Sequence, residues 1–228
     1  MARNPIPLDA NVWGEYLSAQ EAKLPRLPDV EQLTARVVRI MGGNPGRMQL
    51  QGTNTYLVGT GRSRILIDTG EGKPTWIRNL VDYMSSHNLL VSHVLLTHWH
   101  GDHTGGVPDL LENPKLLLPA QQEEPHHHQD GHDDGTAATA IYKHTPDPGQ
   151  EAIEDGQVFA VEGATVRAVF TPGHAADHCC FVLDEEDALF TGDNVLGHRG
   201  GFSVAVDLGV YLASLRRMAS LGCSRAYP

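Results

Sequence analysis

A short run of histidines and one aspartate carries the strongest chemical signal in the sequence. The run reads His98-Trp-His100-Gly-Asp102-His103 and directly follows the apolar segment Val91–Thr97, which predicts a buried strand. At the extended end of such a strand, His98 and His100 point to the same face, where they can bind one metal ion. A turn then directs Asp102 and His103 toward a second metal ion. The alternative is a set of hydrogen-bonded core histidines, but burying these groups without a metal is costly. The pattern therefore predicts a metal centre.

Two further residues lie where they can complete this centre. His174 ends the segment Thr171-Pro-Gly-His174, in which a Pro-Gly turn can direct one imidazole inward. Asp193 ends the segment Phe190-Thr-Gly-Asp193, and the two oxygens of its carboxylate can bridge two cations. Either residue alone would be ordinary for a surface or capping position. Together with the histidine run they supply the neutral imidazole and oxygen ligands that such a centre needs.

The elements that must position these residues alternate between strands and helices. Apolar alternation and short apolar runs predict strands, and apolar residues at helical spacing predict helices. The predicted strands are 35–40, 55–59, 64–68, 91–97, 165–171, 179–183 and 188–191, and the predicted helices are 73–87 and 208–221. Two rounds of strands followed by helices indicate two packed sheets with helices outside, an α/β fold of the αββα sandwich type.

Two segments stand apart from this domain. Residues 1–35 are rich in proline and charge and are predicted to be an N-terminal arm with a short helix at Trp13–Lys23, which leaves 36–228 as the domain that carries the predicted metal centre. Residues 119–140 are acidic and rich in histidine, with almost no large apolar side chain to offset the entropy of ordering them. We predict a disordered insertion there, with a metal site at His126–His128 or His132 as the alternative.

Composition restricts the class of protein. A chain of 228 residues with 40% hydrophobic residues can bury one sizeable core, and the sequence contains no apolar run long enough to span a membrane. The first ten residues lack the apolar segment of a secretory signal, so we expect a cytoplasmic protein. Cys179, Cys180 and Cys223 cannot form a disulfide framework, and the adjacent pair is predicted to be buried rather than nucleophilic, while Ser203 lacks the setting of an activated nucleophile. The formal net charge of −11 disfavours a nucleic acid partner.

The ordered motifs resemble those of the metallo-β-lactamase superfamily. Asp68 in Leu66-Ile-Asp68-Thr-Gly, the run His98–His103, His174 and Asp193 match the first four motifs of that family. The resemblance implies two Zn²⁺ ions per chain, with Mn²⁺ as the alternative metal. It implies that one ion is bound by His98, His100 and His174, that the other is bound by Asp102, His103 and a later histidine, and that Asp193 bridges both. It further implies that Asp68 lies behind the ligands and orients the loop that carries them.

The fifth motif of the family has no counterpart in the sequence. It is a Gly-His-Gly that follows a Tyr-Pro, and the sequence ends at Tyr227-Pro228. The alternatives are a C-terminally truncated chain, which we expect, and an incomplete second metal site.

Longer segments are similar to the β-lactamase-like protein 2 group and, more narrowly, to fungal atrochrysone carboxyl ACP thioesterases. The segments are 44–59, 97–107, 141–147 and 190–198, together with an arm at 4–13 that is typical of the fungal enzymes. These enzymes release aromatic polyketides from non-reducing synthases. The resemblance therefore implies a metal-dependent thioesterase of fungal secondary metabolism, whose partner is an acyl carrier protein domain.

The resemblance also implies a mechanism. A water that bridges two metal ions has its pKa lowered toward about 7, and Asp102 would hold it in line and exchange its proton. A thiolate leaving group, whose thiol has a pKa of about 8.5, departs with little acid assistance. The alternatives are a single-strand endoribonuclease of the same fold, another small-molecule ester, thioester or lactone hydrolase, and a metal-free scaffold.

Overall fold

A computed structural model of the chain describes residues 24–46, 49–119, 138–197 and 207–228. The predicted helix Trp13–Lys23, the histidines at 126–128 and 132, and Ser203 lie outside these residues. All structural statements below concern the described residues. Among them, no helix combines the length and the apolar character needed to traverse a bilayer.

The first half of the described chain forms a sheet of seven strands in the order β1-β2-β3-β4-β5-β6-β7. The strands are β1 Val30–Gln32, β2 Val37–Met41, β3 Asn54–Val58, β4 Ser63–Ile67, β5 Leu90–Leu95, β6 Ala140–Lys143 and β7 Glu151–Ala152. Neighbours are antiparallel from β1 to β4 and parallel from β4 to β7. Because β1 pairs with β2, the sheet begins at Val30, inside the segment that the sequence predicts to be an arm.

The second half forms a sheet of five strands, in the described residues, in the order β12-β11-β10-β9-β8. The strands are β8 Val158–Val161, β9 Ala164–Phe170, β10 Cys179–Leu183, β11 Ala188–Phe190 and β12 Arg225–Tyr227. The pairs are antiparallel except for β11 and β12, which are parallel. Since β9 and β11 both run antiparallel to β10, their carboxyl ends lie at the same edge of this sheet.

In the described residues, three apolar clusters hold the sheets and helices in four layers. Side chains alternate across each strand, so Val37 packs into the core between the sheets while Val38 packs on the outer face of the first sheet. Helix α1, Pro74–His87, covers that outer face with Trp76 and the apolar residues of the next two turns. A second long helix covers the outer face of the second sheet through Met218; its bounds are Leu208–Ser220. The order helix, sheet, sheet, helix confirms the predicted αββα sandwich.

The structure adds elements that the sequence pattern does not predict. Strands β1, β6, β7, β8 and β12 are short. Two short helices are also present: α2 Gly101–Thr104, which includes the end of the histidine run, and α3 Val107–Leu111, which follows it. The long helix Leu208–Ser220 is accordingly α4. Strand β6 begins at Ala140, and the residue before it is tied to the sheet, because Thr139 Oγ1 donates to Val91 O of β5 at 2.6 Å. Thr139 also pairs with Leu118: Thr139 N donates to Leu118 O at 3.3 Å, and Leu118 N donates to Thr139 Oγ1 at 2.8 Å. Thr139 and Ala140, which the sequence analysis assigns to the insertion predicted at 119–140, therefore belong to the folded domain.

Candidate metal centre

The segments that follow four strands converge at one edge of the sandwich. Asp68 follows β4, the run His98–His103 follows β5, His174 follows β9 and Asp193 follows β11. The predicted ligands come together there in two groups, within each of which the ligand atoms lie no more than 4.8 Å apart. The first group is His98, His100, His174 and Asp193, and the second group is Asp102, His103 and Asp193.

The first group brings three imidazole nitrogens into close contact. His100 Nδ1 lies 2.9 Å from His98 Nε2 and 2.8 Å from His174 Nε2, and His174 Nε2 lies 3.4 Å from Asp193 Oδ2. The backbone is extended at His100, as the sequence predicts for a strand end, so Trp99 between the two histidines points outward and is 60% exposed. Nitrogen lone pairs and a carboxylate that converge in this way match the donor set that Zn²⁺ or Mn²⁺ accepts.

The second group is built on a helix rather than on the simple turn that the sequence predicts. Asp102 and His103 lie in α2, one turn long, and His103 Nε2 is 3.7 Å from Asp102 Oδ2 and 3.2 Å from Asp193 Oδ1. Asp193 thus presents Oδ1 to the second group and Oδ2 to the first. Asp102 Oδ2 also accepts a hydrogen bond of 3.2 Å from Thr53 Oγ1, which fixes this carboxylate against the segment before β3.

Asp68 lies behind the second group. Its backbone has a φ of +58°, and its Oδ1 accepts a hydrogen bond of 2.8 Å from Thr97 N, so it holds the residue directly before the predicted ligand His98. Its Oδ2 lies 2.7 Å from His103 Nδ1. Because Nδ1 faces this carboxylate, Nε2 of the same ring is directed at Asp102 and Asp193.

A buried atom without a hydrogen bond tests whether these residues fit a metal ion. His103 Nε2 is buried and makes no well-aligned hydrogen bond within the described part of the chain, although Asp193 Oδ1 lies 3.2 Å away. A cation that accepts the nitrogen lone pair would satisfy this atom together with both carboxylates. The donor set and the orphaned nitrogen therefore fit a divalent cation.

Burial and neighbouring charges shift the pKa values of the residues in the centre, and the net direction differs from residue to residue. Burial, with further contributions from the surrounding histidines, depresses the pKa of His98 far below its ordinary value, so this ring is neutral. Burial alone would also lower the pKa of His103, but Asp68 and Asp193 raise it well above the ordinary value. Burial would raise the pKa of Asp193, and its contacts with His103 outweigh that effect and lower it. A cation bound here would replace the proton on His103.

Two residues near the centre, His178 and Asn194, are missed by the sequence analysis. Both are fully buried, and Asn194 Nδ2 lies 3.1 Å from His178 Nδ1. Burial, together with His174, lowers the pKa of His178 to about 3, so the ring is neutral. The position of His178, in the same short segment as His174, was an available signal, whereas nothing in the spacing marks Asn194.

The cysteines behave as the sequence predicts. Cys179 and Cys180 are free and fully buried in β10, and Cys223 is free and half-buried. Burial raises the pKa of the Cys180 thiol to about 12, and that of Cys179 lies well above its ordinary value. Thiols held in the protonated form are poor nucleophiles.

A cavity of about 500 Å³ opens beside the second group. Asp102, His103 and Asp193 form part of its wall, and apolar side chains such as Leu50 and Phe190 form another part. The ligand groups are therefore accessible to a small molecule from this side.

Most of the chain matches a known protein family and several fungal proteins. A family profile described as the metallo-beta-lactamase superfamily matches residues 49–228. The chain is 61% identical over 224 residues to "Lactamase-like protein adaB" of Aspergillus niger, which covers 98% of this chain and 63% of that protein. It is 61% identical to "Lactamase-like protein nscB" of Aspergillus fumigatus, covering 98% and 61%, and 58% identical to "Lactamase-like protein vrtG" of Penicillium aethiopicum, covering 98% and 66%. The chain thus spans less than two thirds of the length of these relatives.

Comparison with solved structures shows the same fold. A metallo-beta-lactamase from Pontibacter korlensis superposes with a TM-score of 0.63 at 19% identity, covering 86% of each chain. A metallo-beta-lactamase family protein from Thermus thermophilus superposes with a TM-score of 0.60 at 24% identity, covering 86% of this chain and 73% of that one. At these identities the likeness concerns the fold alone.

Proposed function

The chain belongs to the metallo-β-lactamase superfamily, and from this premise we propose that it is a metal-dependent thioesterase. The proposed substrate is the thioester between an acyl carrier protein and an aromatic polyketide, and the proposed partner is the carrier protein domain of a non-reducing synthase. The observation that carries the proposal is the pair of ligand groups that share Asp193 beside an accessible cavity. The similarity of several sequence segments to fungal carrier protein thioesterases supports this choice of substrate.

The side chains of the centre divide the work of hydrolysis among them. His98, His100 and His174 would hold one cation, Asp102 and His103 the other, and Asp193 both. Two divalent cations there would supply Lewis acidity and lower the pKa of a water toward about 7. Asp102, held by Thr53, offers a carboxylate that can orient that water and accept its proton.

The thioester itself suits a centre of this kind. The thiol released by hydrolysis has a pKa of about 8.5, so its thiolate leaves without a strong proton donor. The reaction therefore does not require a dedicated general acid. The titratable groups gathered at the centre can then all serve as ligands or as the acceptor of one proton. The apolar part of the cavity wall, which includes Leu50 and Phe190, would receive the acyl chain.

A direct comparison of two substrate classes tests the proposal. We expect the zinc- or manganese-loaded protein to release free thiol from acyl thioesters of N-acetylcysteamine and, with a higher kcat/KM, from the acyl carrier protein. The same preparation should leave single-stranded RNA intact, because the net charge of −11 repels phosphodiesters. Cleavage of RNA without thioester hydrolysis would identify the nuclease alternative instead. A protein that binds no stoichiometric metal would identify a scaffold.

A further inference from the structure

We propose that Asn194 is a positioning residue that locks the loop of His174 and the turn of Asp193 into one arrangement and thereby sets the metal affinity of the first ligand group. The inference rests on the metal centre proposed above but not on the identity of the substrate. It is carried by one buried side chain that belongs to the turn of Asp193 and hydrogen-bonds to the loop of His174.

The amide of Asn194 joins both ends of the segment that carries His174. Its Oδ1 accepts a hydrogen bond of 3.2 Å from His174 N, and its Nδ2 donates one of 2.6 Å to Thr171 O. Asn194 itself follows Asp193 directly in the 3₁₀ turn Gly192–Asn194. One side chain therefore connects the two strand ends that place His174 Nε2 at 3.4 Å from Asp193 Oδ2.

The orientation of this amide is fixed by its backbone partners. Because a backbone N–H can only donate, Oδ1 must face His174, and because a backbone carbonyl can only accept, Nδ2 must face Thr171. The second hydrogen of Nδ2 is then available to His178 Nδ1, 3.1 Å away. His178 thus accepts at Nδ1, which places its proton on Nε2. The buried ring of His178 therefore gives the amide a third hydrogen-bond partner.

Helix α4 holds Asn194 from the other side. Tyr211 donates a hydrogen bond of 2.5 Å from its hydroxyl to Asn194 O, and its ring packs so closely on Gly173 that a Cβ there would lie 2.7 Å from it. The two ligand loops and α4 therefore meet at Asn194. If the amide is removed, the loops keep their own strands but lose the direct connection that fixes the spacing of their ligands.

The test measures metal affinity rather than activity. Asn194→Ala should bind Zn²⁺ roughly 10- to 100-fold more weakly than the wild type in competition with a chromophoric chelator, the usual effect of removing a residue that orients ligands. The absorption spectrum of the Co²⁺-substituted protein should change as well, because the ligand geometry relaxes. Tyr211→Phe keeps the ring on Gly173 and removes one hydrogen bond, so it should fold and show a smaller loss in the same direction.

A matched control separates positioning from general stability. Thr55 is buried on the outer face of the first sheet, which α1 covers. Its Oγ1 accepts a hydrogen bond of 2.9 Å from Trp76 Nε1 and donates one of 2.8 Å to Ile40 O. Thr55→Val should lower the free energy of unfolding and leave the Zn²⁺ affinity and the Co²⁺ spectrum unchanged. Wild-type affinity in a folded Asn194→Ala, or in Tyr211→Phe if Asn194→Ala does not fold, would overturn the proposal. A wild-type chain that binds no metal would overturn the metal centre as well, whereas failure of thioester hydrolysis alone would not.

Discussion

Asp193 shows how much of the candidate site depends on single atoms. Each of its two oxygens faces a different ligand group, and the carboxylate is kept ionised by His103, which outweighs the effect of burial on its pKa. The sequence predicts this residue from a strand end and the chemistry of a carboxylate. It does not predict Asn194 or His178, because their roles follow from contacts across loops that only the folded chain brings together.

Removal of a single predicted ligand should be enough to abolish activity. His98→Ala and Asp102→Ala should each abolish thioester hydrolysis, because His98 belongs to the first group and Asp102 to the second, while both proteins stay soluble and folded. The exposed His87, at the end of α1, offers a matched control, and His87→Ala should retain wild-type activity. Activity is measured as release of free thiol. More than a tenth of wild-type activity in either ligand variant would remove that residue from the site.

Gly192 gives a second prediction, because its position excludes a side chain. Its φ is +47°, and a Cβ would lie 2.8 Å from His178 Nε2 and 3.1 Å from Thr97 Cβ. Gly192→Ala should therefore lose about 1–2 kcal/mol for the left-handed backbone and a further ~1–3 kcal/mol for overpacking. The free energy of unfolding is measured in urea.

Gly149 is the matched control, since its φ is +85° and a Cβ there would meet no described atom within 4 Å. Gly149→Ala should show the backbone loss alone. Equal losses at Gly149 and Gly192 would contradict the close packing around His178.

The elements found by sequence analysis differ physically from those it missed. Strands such as β4 and β10 are buried and apolar along most of their length, so their composition marks them. Strand β7 consists of two exposed residues, Glu151 and Ala152, and β12 has one buried residue in three. Short strands of this kind form because a neighbouring strand offers hydrogen bonds, and their own side chains give no periodic signal.

The predicted insertion should be dispensable for folding and for metal binding. Leu118 and Thr139 are hydrogen-bonded to each other, so the two ends of the segment 120–137 already meet. Replacing 120–137 by two glycines should preserve soluble yield and bound metal, because closing a shorter loop between adjacent ends costs little entropy. Metal content is measured by elemental analysis. A loss of bound metal would show that His126–His128 or His132 bind it, which is the alternative interpretation of this segment.

The candidate centre joins the two sheets of the molecule. The run His98–His103 extends from the first sheet, while His174 and Asp193 extend from the second. The αββα sandwich and this convergence could both be predicted, because apolar periodicity defines the layers and strand ends carry the ligand residues. The spacing of the sheets and the buried network behind the ligands could not, since they depend on packing between distant segments.

Metal removal tests this connection between the sheets. A cation that binds only the folded chain should raise the free energy of unfolding by about 2.7 kcal/mol when free Zn²⁺ is at 100 times its Kd. Chelation should lower the Tm, and re-addition of Zn²⁺ should restore it. His98→Ala serves as the control and should show a much smaller response. An unchanged Tm in the wild-type protein would contradict a centre that spans both sheets.

The same arrangement has a consequence for the order of events during folding. His98 follows a strand of the first sheet and Asp193 follows a strand of the second, so we expect these residues to meet only once both sheets have formed and docked. Contacts between such distant segments form late, because the loop entropy between them must be lost first. A cation would then have little influence on the folding rate and would act mainly by slowing the unfolding of the native protein. The bound cation would thus increase the kinetic stability of the sandwich without being needed for its assembly.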